Sequence, residues 1–280
     1  EALTTGLGGR KFDRILAMKI ATSIRKKRYT LAHFYGDCLL AFPELQLYMA
    51  ATQEQADEAR ERAPVIQVRG VTSGLTSDEE YRRTIGALFA VYWLMRIGID
   101  GERGFSYGVD ENWAPIESSV LEAIANDESL DAKERGDAKK RLDFIKAQDW
   151  KRLQQLLADA GLITLEKSGD VTIQAERTLA MLSLTAFHDI MKVESLLPKV
   201  VDKHAPFCTF KSGDTINDHD IALGYVLTHH PEVLPSFAEL TDQSRKSIRF
   251  TQAKMQFNHG WLVQGEAPPA PLFAAFKNVI

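Results

Sequence analysis

Two adjacent histidine–aspartate pairs are the residues of this sequence best suited to do chemistry. His188 and Asp189 close an apolar stretch, and His219 and Asp220 follow further along the chain. A neutral imidazole and a carboxylate are common ligands of divalent metal ions. Six of the seven histidines lie between His188 and His259. We therefore expect a metal site in this part of the chain.

A lysine follows the first pair at a useful spacing. Lys192 comes four residues after His188 and three after Asp189. We predict a helix from 174 to about 193, and within it Lys192 shares a face with both residues. The lysine then binds an anionic substrate group or forms an ion pair with Asp189, and the sequence leaves both roles open. Asp189 and Lys192 are our candidate catalytic residues.

The remaining histidines can be sorted by their position along predicted helices. His219 and His230 are eleven residues apart in a predicted helix over 217–230, which separates them by roughly 16 Å along its axis. They cannot bind the same ion, so we prefer His219 as a ligand and His230 as a substrate contact. His230 precedes Pro231 and marks a helix end. His204 is predicted to be a loop residue.

The composition is that of an ordinary globular protein. The chain has 280 residues, 45% of them hydrophobic and 26% charged, with a formal net charge of -4. This charge offers no basic field for nucleic acid, and no apolar run is long enough to cross a membrane. Cys38 and Cys208 lack a Cys-x-x-Cys partner, which argues against a disulfide scaffold or a thiolate zinc site. We expect an intracellular, cytoplasmic protein.

Apolar residues recur at helical spacing through most of the chain. The predicted helices cover residues 12–24, 31–41, 43–62, 76–97, 116–126, 131–147, 150–160, 174–193 and 217–230. Residues 162–166 and 171–173 flank turn residues and predict one short β-hairpin. A helix and a hairpin also form winged DNA-binding elements, but the preceding helix lacks a basic face. Between 98 and 115 the helical spacing is lost, which predicts a loop that either covers a site or packs its own aromatic residues.

These motifs resemble those of the HD-domain metalloproteins. Residues 187–192 read FHDIMK, which is similar to the family's apolar-His-Asp-x-x-Lys step. Residues 218–224 read DHDIALG and resemble the next step, in which a histidine opens a helix. Residues 248–260 are similar to a later helix whose end supplies a histidine. Residues 29–33 resemble the family's opening helix.

The resemblance implies an all-α fold with one short β-hairpin. An HD-like helical bundle would comprise residues 1–43 and 175–280, and a large helical insertion would cover 44–174, with the hairpin near 162–173. The two parts form either separate domains or one domain. The metal ligands that the resemblance implies are His33, His188, Asp189, His219 and His259. Asp242 or Glu266 would supply a final carboxylate.

Such ligands suit one or two divalent ions of Fe, Mn, Mg or Zn. The leading hypothesis is metal-dependent hydrolysis of a phosphoester in a nucleotide or another small anionic molecule. Lys192 and His230 would contact this substrate. The first alternative is an HD-type di-iron oxygenase that acts on a small substrate. The second is a non-catalytic helical binding or regulatory module whose histidines are structural.

Overall fold

Helices form where the sequence carries apolar residues at helical spacing. The computed structural model describes residues 7, 9–48 and 76–254, with side chains through residue 252. Within these residues the chain is all-α except for one short antiparallel hairpin, and this confirms the predicted fold class. The helices are α1 (Arg14–Ser23), α2 (Leu31–Ala41), α3 (Ser77–Met95), α4 (Gly101–Tyr107), α5 (Ser118–Asn126), α6 (Ala132–Ala147), α7 (Trp150–Asp159), α8 (Ala175–Phe187), α9 (His219–His229), α10 (Pro235–Ala238) and α11 (Asp242–Arg249).

The hairpin joins strands β1 (Ile163–Leu165) and β2 (Val171–Ile173) in the predicted place. The two strands pair in antiparallel register, with Thr164 opposite Thr172. Gly169 has φ +89° in the turn, a conformation that glycine adopts without a steric penalty. The turn residues thus close the hairpin where the sequence indicated.

The start of α3 follows the usual rules of helix capping. The backbone N–H of Glu79 donates to Thr76 Oγ1 at 3.2 Å, and the backbone N–H of Thr76 donates to Glu79 Oε2 at 2.7 Å. This reciprocal capping box satisfies two backbone donors at the helix start. The first turn also contains three acidic residues, Asp78, Glu79 and Glu80, whose negative charges interact favourably with the positive end of the helix dipole.

The predicted loop between 98 and 115 contains a helix, so the prediction was wrong for this segment. Helix α4 occupies Gly101–Tyr107, and its glycines are required by packing. A Cβ at Gly104 would overlap the indole ring of Trp93, and one at Gly101 would overlap the Trp93 carbonyl oxygen. The absence of a side chain at these two glycines lets α4 approach Trp93 closely.

The predicted helix from 174 to 193 ends earlier than expected. Helix α8 stops at Phe187, and residues Ile190–Lys192 form a separate 3-10 turn. Phe187, Ile190 and Met191 are fully buried, so buried residues flank the break on both sides. His188 and Asp189 therefore lie in a connection between two helical segments and not within one helix.

The chain divides into two compact units. One comprises Glu1–Arg14, Phe42–Thr84 and Ser183–Ile280, and the other comprises Ile15–Ala41 and Ile85–Leu182. These two units do not show which segments form an insertion. The division into an HD-like bundle and a helical insertion therefore stays a prediction. In the second unit, a hydrophobic cluster joins Tyr107 of α4, Leu121 of α5 and Leu142 of α6.

One further expectation concerns membrane crossing, and three others fall wholly or partly on residues that the structure does not describe. Among the residues that the structure describes, no helix combines the length and apolarity that a membrane crossing requires. Residues 45–48 are helical, but most of the helix predicted over 43–62 lies outside the described residues. His259 and Glu266, a predicted metal ligand and a candidate final carboxylate, also lie outside them.

Candidate metal centre

The connection between α8 and the following 3-10 turn positions the first His-Asp pair. The N–H of His188 makes the last α-type hydrogen bond of the helix, to the Leu184 carbonyl at 2.8 Å. The N–H of Lys192 then donates to the Asp189 carbonyl at 3.0 Å, which closes the turn. Helix α9 packs against this turn. The backbone thus holds His188, Asp189 and Lys192 next to one another.

The three side chains meet at one carboxylate oxygen. Lys192 Nζ lies 2.8 Å from Asp189 Oδ1, and His188 Nε2 lies 3.4 Å from the same atom. The side chains of Lys192 and Asp189 are only 12% and 10% exposed, whereas that of His188 is 32% exposed. Oδ1 is buried. Lys192 forms an ion pair with this oxygen, and His188 lies close to it.

The carboxyl group of Asp189 is held in its ionised form. Burial acts to raise its pKa, but His188, Lys192 and Arg83 together outweigh burial, and the pKa of Asp189 lies below its usual value. The carboxylate is thus charged at neutral pH. An ionised carboxylate is the form in which Asp189 could bind a metal ion.

A second group of polar residues, which the sequence reasoning did not single out, lies in the same unit. Glu80 is fully buried on α3, and Arg83 Nη1 donates to it at 3.1 Å. One turn away, Thr84 Oγ1 donates to the hydroxyl of buried Tyr48 at 3.2 Å. Arg83 acts electrostatically on Asp189, and Asp189 acts on Tyr48, which places this group near the His-Asp pair.

A sequence signal for this group existed. Glu80, Arg83 and Thr84 follow one another at positions i, i+3 and i+4 of α3, which places them on one helix face. Glu80 and Thr84 are buried there, while the Arg83 side chain is 53% exposed. The buried polar groups of this face have internal hydrogen-bond partners, Arg83 for Glu80 and Tyr48 for Thr84.

The distance between the two candidate ligand atoms fits a metal ion. In a tetrahedral site with bonds of about 2.1 Å, two ligand atoms lie about 3.4 Å apart. His188 Nε2 and Asp189 Oδ1 are 3.4 Å apart, and the donor set of one imidazole and one carboxylate suits the ions named above. The Lys192 ammonium competes for the same oxygen. Water or substrate would have to complete such a site, because no further His, Cys, Asp or Glu among the described residues joins this pair in a close group of three.

The second His-Asp step forms the one close group of three candidate ligands among the described residues. Ligand atoms of Asp218, His219 and Asp220 lie within 4.8 Å of one another. Asp218 Oδ1 accepts hydrogen bonds from the N–H groups of Asp220 and Ile221, both at 3.0 Å. Asp218 is therefore the N-cap of α9, the structural role that the sequence also allowed. Acidic groups at an exposed helix start are common without any ion.

The other predicted ligands lie elsewhere. His33 belongs to α2 in the second unit, where its exposed ring stacks on Tyr29 and its Nδ1 lies 2.9 Å from Thr30 Oγ1. Asp242 begins α11 and forms an ion pair with Arg245. His219 Nε2 lies 3.6 Å from Asp220 Oδ1 and is in no close group of three with His188 or Asp189. His33, His219 and Asp242 as ligands stay predictions.

His230, the predicted substrate contact, follows the last residue of α9, so the predicted helix end is confirmed. Its ring packs against those of His204 and Tyr225, and its Nδ1 lies 3.6 Å from Glu232 Oε1. His204 belongs to a short 3-10 turn, Asp202–His204, and it is not an isolated loop residue. The contact of His230 with a substrate stays a prediction.

Comparison with protein-family models, with curated proteins and with solved structures finds no match for this chain. The resemblance to the HD-domain metalloproteins therefore depends on the motif residues alone. What the chain does must be argued from the geometry of its own side chains.

Proposed function

We propose that this protein is a metal-dependent hydrolase that cleaves a phosphoester in a nucleotide or another small anionic molecule. The observation that supports the proposal is the convergence of His188 Nε2 and Lys192 Nζ on the buried Asp189 Oδ1. One imidazole, one ionised carboxylate and one ammonium are the groups that such a hydrolase needs to bind an ion and an anion. We propose an HD-type arrangement as the frame for this site.

In this proposal His188 and Asp189 bind the ion directly. A bound divalent ion lowers the pKa of a water ligand and neutralises charge on a phosphoryl oxygen. His188, Lys192 and Arg83 lower the pKa of Asp189 and so keep the carboxylate ionised. With an ion held by Asp189, the Lys192 ammonium would be available to a substrate oxygen. Arg83, half-exposed and near the same carboxylate, offers a second positive charge for an anionic substrate.

Metal content tests the proposal most directly. The purified chain is incubated with Mn²⁺ or Fe²⁺, passed through a desalting column and assayed for bound metal by elemental analysis. We expect His188→Ala and Asp189→Ala each to lower the bound metal and to abolish hydrolysis of p-nitrophenyl phosphate or a nucleoside monophosphate. His204→Ala, which changes a histidine outside this site, should retain the metal. Equal metal content in the three variants would show that His188 and Asp189 do not form a metal site.

A chelator provides the second test. Adding EDTA should lower both the melting temperature and the phosphatase activity, because an ion that binds only the folded chain stabilises it. Adding back Mn²⁺ or Zn²⁺ should restore both. A melting temperature that does not respond to either addition, together with no phosphatase activity, would contradict the proposal.

A non-catalytic binding or regulatory module is the second candidate, and one observation favours it. The Lys192–Asp189 ion pair already neutralises the buried carboxylate, so the fold does not need an ion there. Such a module should show no response to the chelator. The di-iron oxygenase requires His219 and His259 in addition, and it predicts bound iron with visible absorption.

A further inference from the structure

Three of the seven histidines form one cluster with an aromatic residue. The rings of His204 and His229 stack almost in parallel, with centroids 3.9 Å apart and planes 17° apart. The His230 ring lies 5.5 Å from that of His204, and the buried Tyr225 contacts all three imidazoles. His204 Nδ1 lies 3.1 Å from the Tyr225 hydroxyl. None of these groups belongs to the proposed metal centre.

The cluster brings together two parts of the chain that lie apart in the sequence. Tyr225 and His229 belong to α9, whereas His204 belongs to the segment 198–216. The backbone N–H of Val201 donates to the Tyr225 hydroxyl at 3.1 Å, so the same hydroxyl bonds both to this backbone and to the His204 ring. The ends of the segment are tied to each other by hydrogen bonds from Gly213 N–H to the Val200 carbonyl at 2.8 Å and from Ile216 N–H to the Pro198 carbonyl at 3.0 Å.

The stacked geometry favours uncharged rings. Two imidazolium ions at a centroid distance of 3.9 Å would repel each other strongly, because little water can screen charges in direct contact. Nor does the stack suit a metal ion. Lone pairs lie in the plane of an imidazole, so parallel stacked rings direct theirs side by side and not toward one point.

We propose that His204, His229, His230 and Tyr225 form a proton-sensitive latch, which fastens the segment 198–216 to α9 while the imidazoles are neutral and releases it when they are protonated. None of its residues is a ligand of the proposed metal ion. It uses the imidazole as the side chain whose charge changes nearest to neutral pH.

Burial and the neighbouring positive charges act in the same direction. Burial and then the nearby charges of Lys203 and His230 lower the pKa of His204. Burial, followed by His204, His230 and Lys203, lowers the pKa of His229. Two carboxylates lie nearby: Glu232 is 3.6 Å from His230, and Asp202 belongs to the same 3-10 turn as His204.

Two other elements that pack on α9 carry cations that already have interaction partners. Lys192 of the 3-10 turn pairs with Asp189 at 2.8 Å. Arg249 of α11 donates to the Leu227 carbonyl at 2.9 Å. Neither one supplies a negative charge that would stabilise an imidazolium in the stack.

The direction of the pH effect follows from these shifts. A histidine whose pKa is lower in the closed state than in the open state binds more protons when the latch is open. The closed state is therefore fully favoured above the ordinary histidine pKa of about 6.5 and is lost as the pH falls below it. Each unit of difference between the open-state and closed-state pKa changes the closing equilibrium by up to about tenfold.

Hydrogen exchange measured amide by amide tests the latch in the full chain. Protection factors, which correct for intrinsic exchange, are compared at pH 7.5 and 5.5. We expect that of Val201, whose N–H donates to the Tyr225 hydroxyl of α9, to fall by about tenfold or more in the wild type. Gln174, whose N–H donates to the Leu162 carbonyl beside the hairpin, serves as an internal control and should change much less.

The variant His229→Gln distinguishes an effect of histidine protonation from a general loss of packing. It removes one imidazole of the stack, so the pH dependence of protection in 198–216 should shrink toward that of Gln174 even if the protection level falls at both pH values. In an NMR titration of the side chains, the midpoint of His229 should rise in the variant His204→Gln, because His204 lowers the pKa of His229. Protection of Val201 that is equally pH-dependent in wild type and His229→Gln would overturn the latch, as would a His229 midpoint unchanged by His204→Gln.

Discussion

The ammonium of Lys192 and the carboxylate of Asp189 form a largely buried ion pair at 2.8 Å, three residues apart across a 3-10 turn. The sequence allowed two roles for this lysine, and the ion pair is the one that the structure contains. The pair does not conflict with the proposed hydrolase, because a carboxylate kept ionised by a lysine is prepared to bind an ion. It does make stability and ligand binding depend on the same two side chains.

Breaking this pair should destabilise the fold. Lys192→Met leaves a buried carboxylate without its nearest cation, and we expect the free energy of unfolding to fall by about 3 kcal/mol. Urea denaturation measures the change. The control is Lys199→Met at an exposed lysine of the same unit, which should have little effect. Adding Asp189→Asn to Lys192→Met should recover part of the loss, and a double variant less stable than the single one would count against this explanation.

Asp189 should also contribute a distinct acid dependence. Its pKa in the folded state lies below the value of about 3.9 for an unfolded aspartate, so the unfolded chain binds more protons as the pH falls below about 4. The stability that Asp189 contributes is present above that pH and is lost below it. We expect Asp189→Asn to flatten the decline of unfolding free energy between pH 5 and 3, relative to Asp143→Asn at an exposed position. Identical declines in both variants would show that Asp189 is not responsible.

The role of Asp218 as a helix cap can be separated from a role in metal binding. Asp218→Ala removes the acceptor of two backbone N–H groups at the start of α9 and should cost about 1 kcal/mol of unfolding free energy. Asp218→Ser retains a capping oxygen without a carboxylate and should restore most of that stability. Elemental analysis of Asp218→Ser should show unchanged metal content. Loss of metal in this variant would indicate that the metal centre lies at the start of α9.

Two glycines in helices should respond in opposite ways to the same substitution. Gly104→Ala adds a methyl group that overlaps the Trp93 indole, and we expect a loss of about 1–3 kcal/mol from overpacking. Gly136→Ala lies in α6 with open space around the added methyl and should raise stability by about 0.5–1 kcal/mol. Thermal denaturation of both variants measures the difference. A Gly104→Ala protein as stable as wild type would show that α4 can move away from Trp93 at little cost.

The sequence by itself determined most of the helices and the hairpin. Apolar spacing, the capping box at Thr76 and Glu79, and the turn around Gly169 act between residues that are close in sequence. Such local signals can be recognised without knowing what the helices pack against. The end of α9 at the paired histidines before Pro231 was predictable for the same reason.

Only the tertiary structure decided where the chemistry-bearing residues meet. Helix α8 ends before His188, although the apolar spacing continues beyond it and both Phe187 and Met191 are buried. The stack of His204 on His229 joins residues from separate segments. Contacts between distant residues depend on how whole elements pack, and no local pattern records that packing.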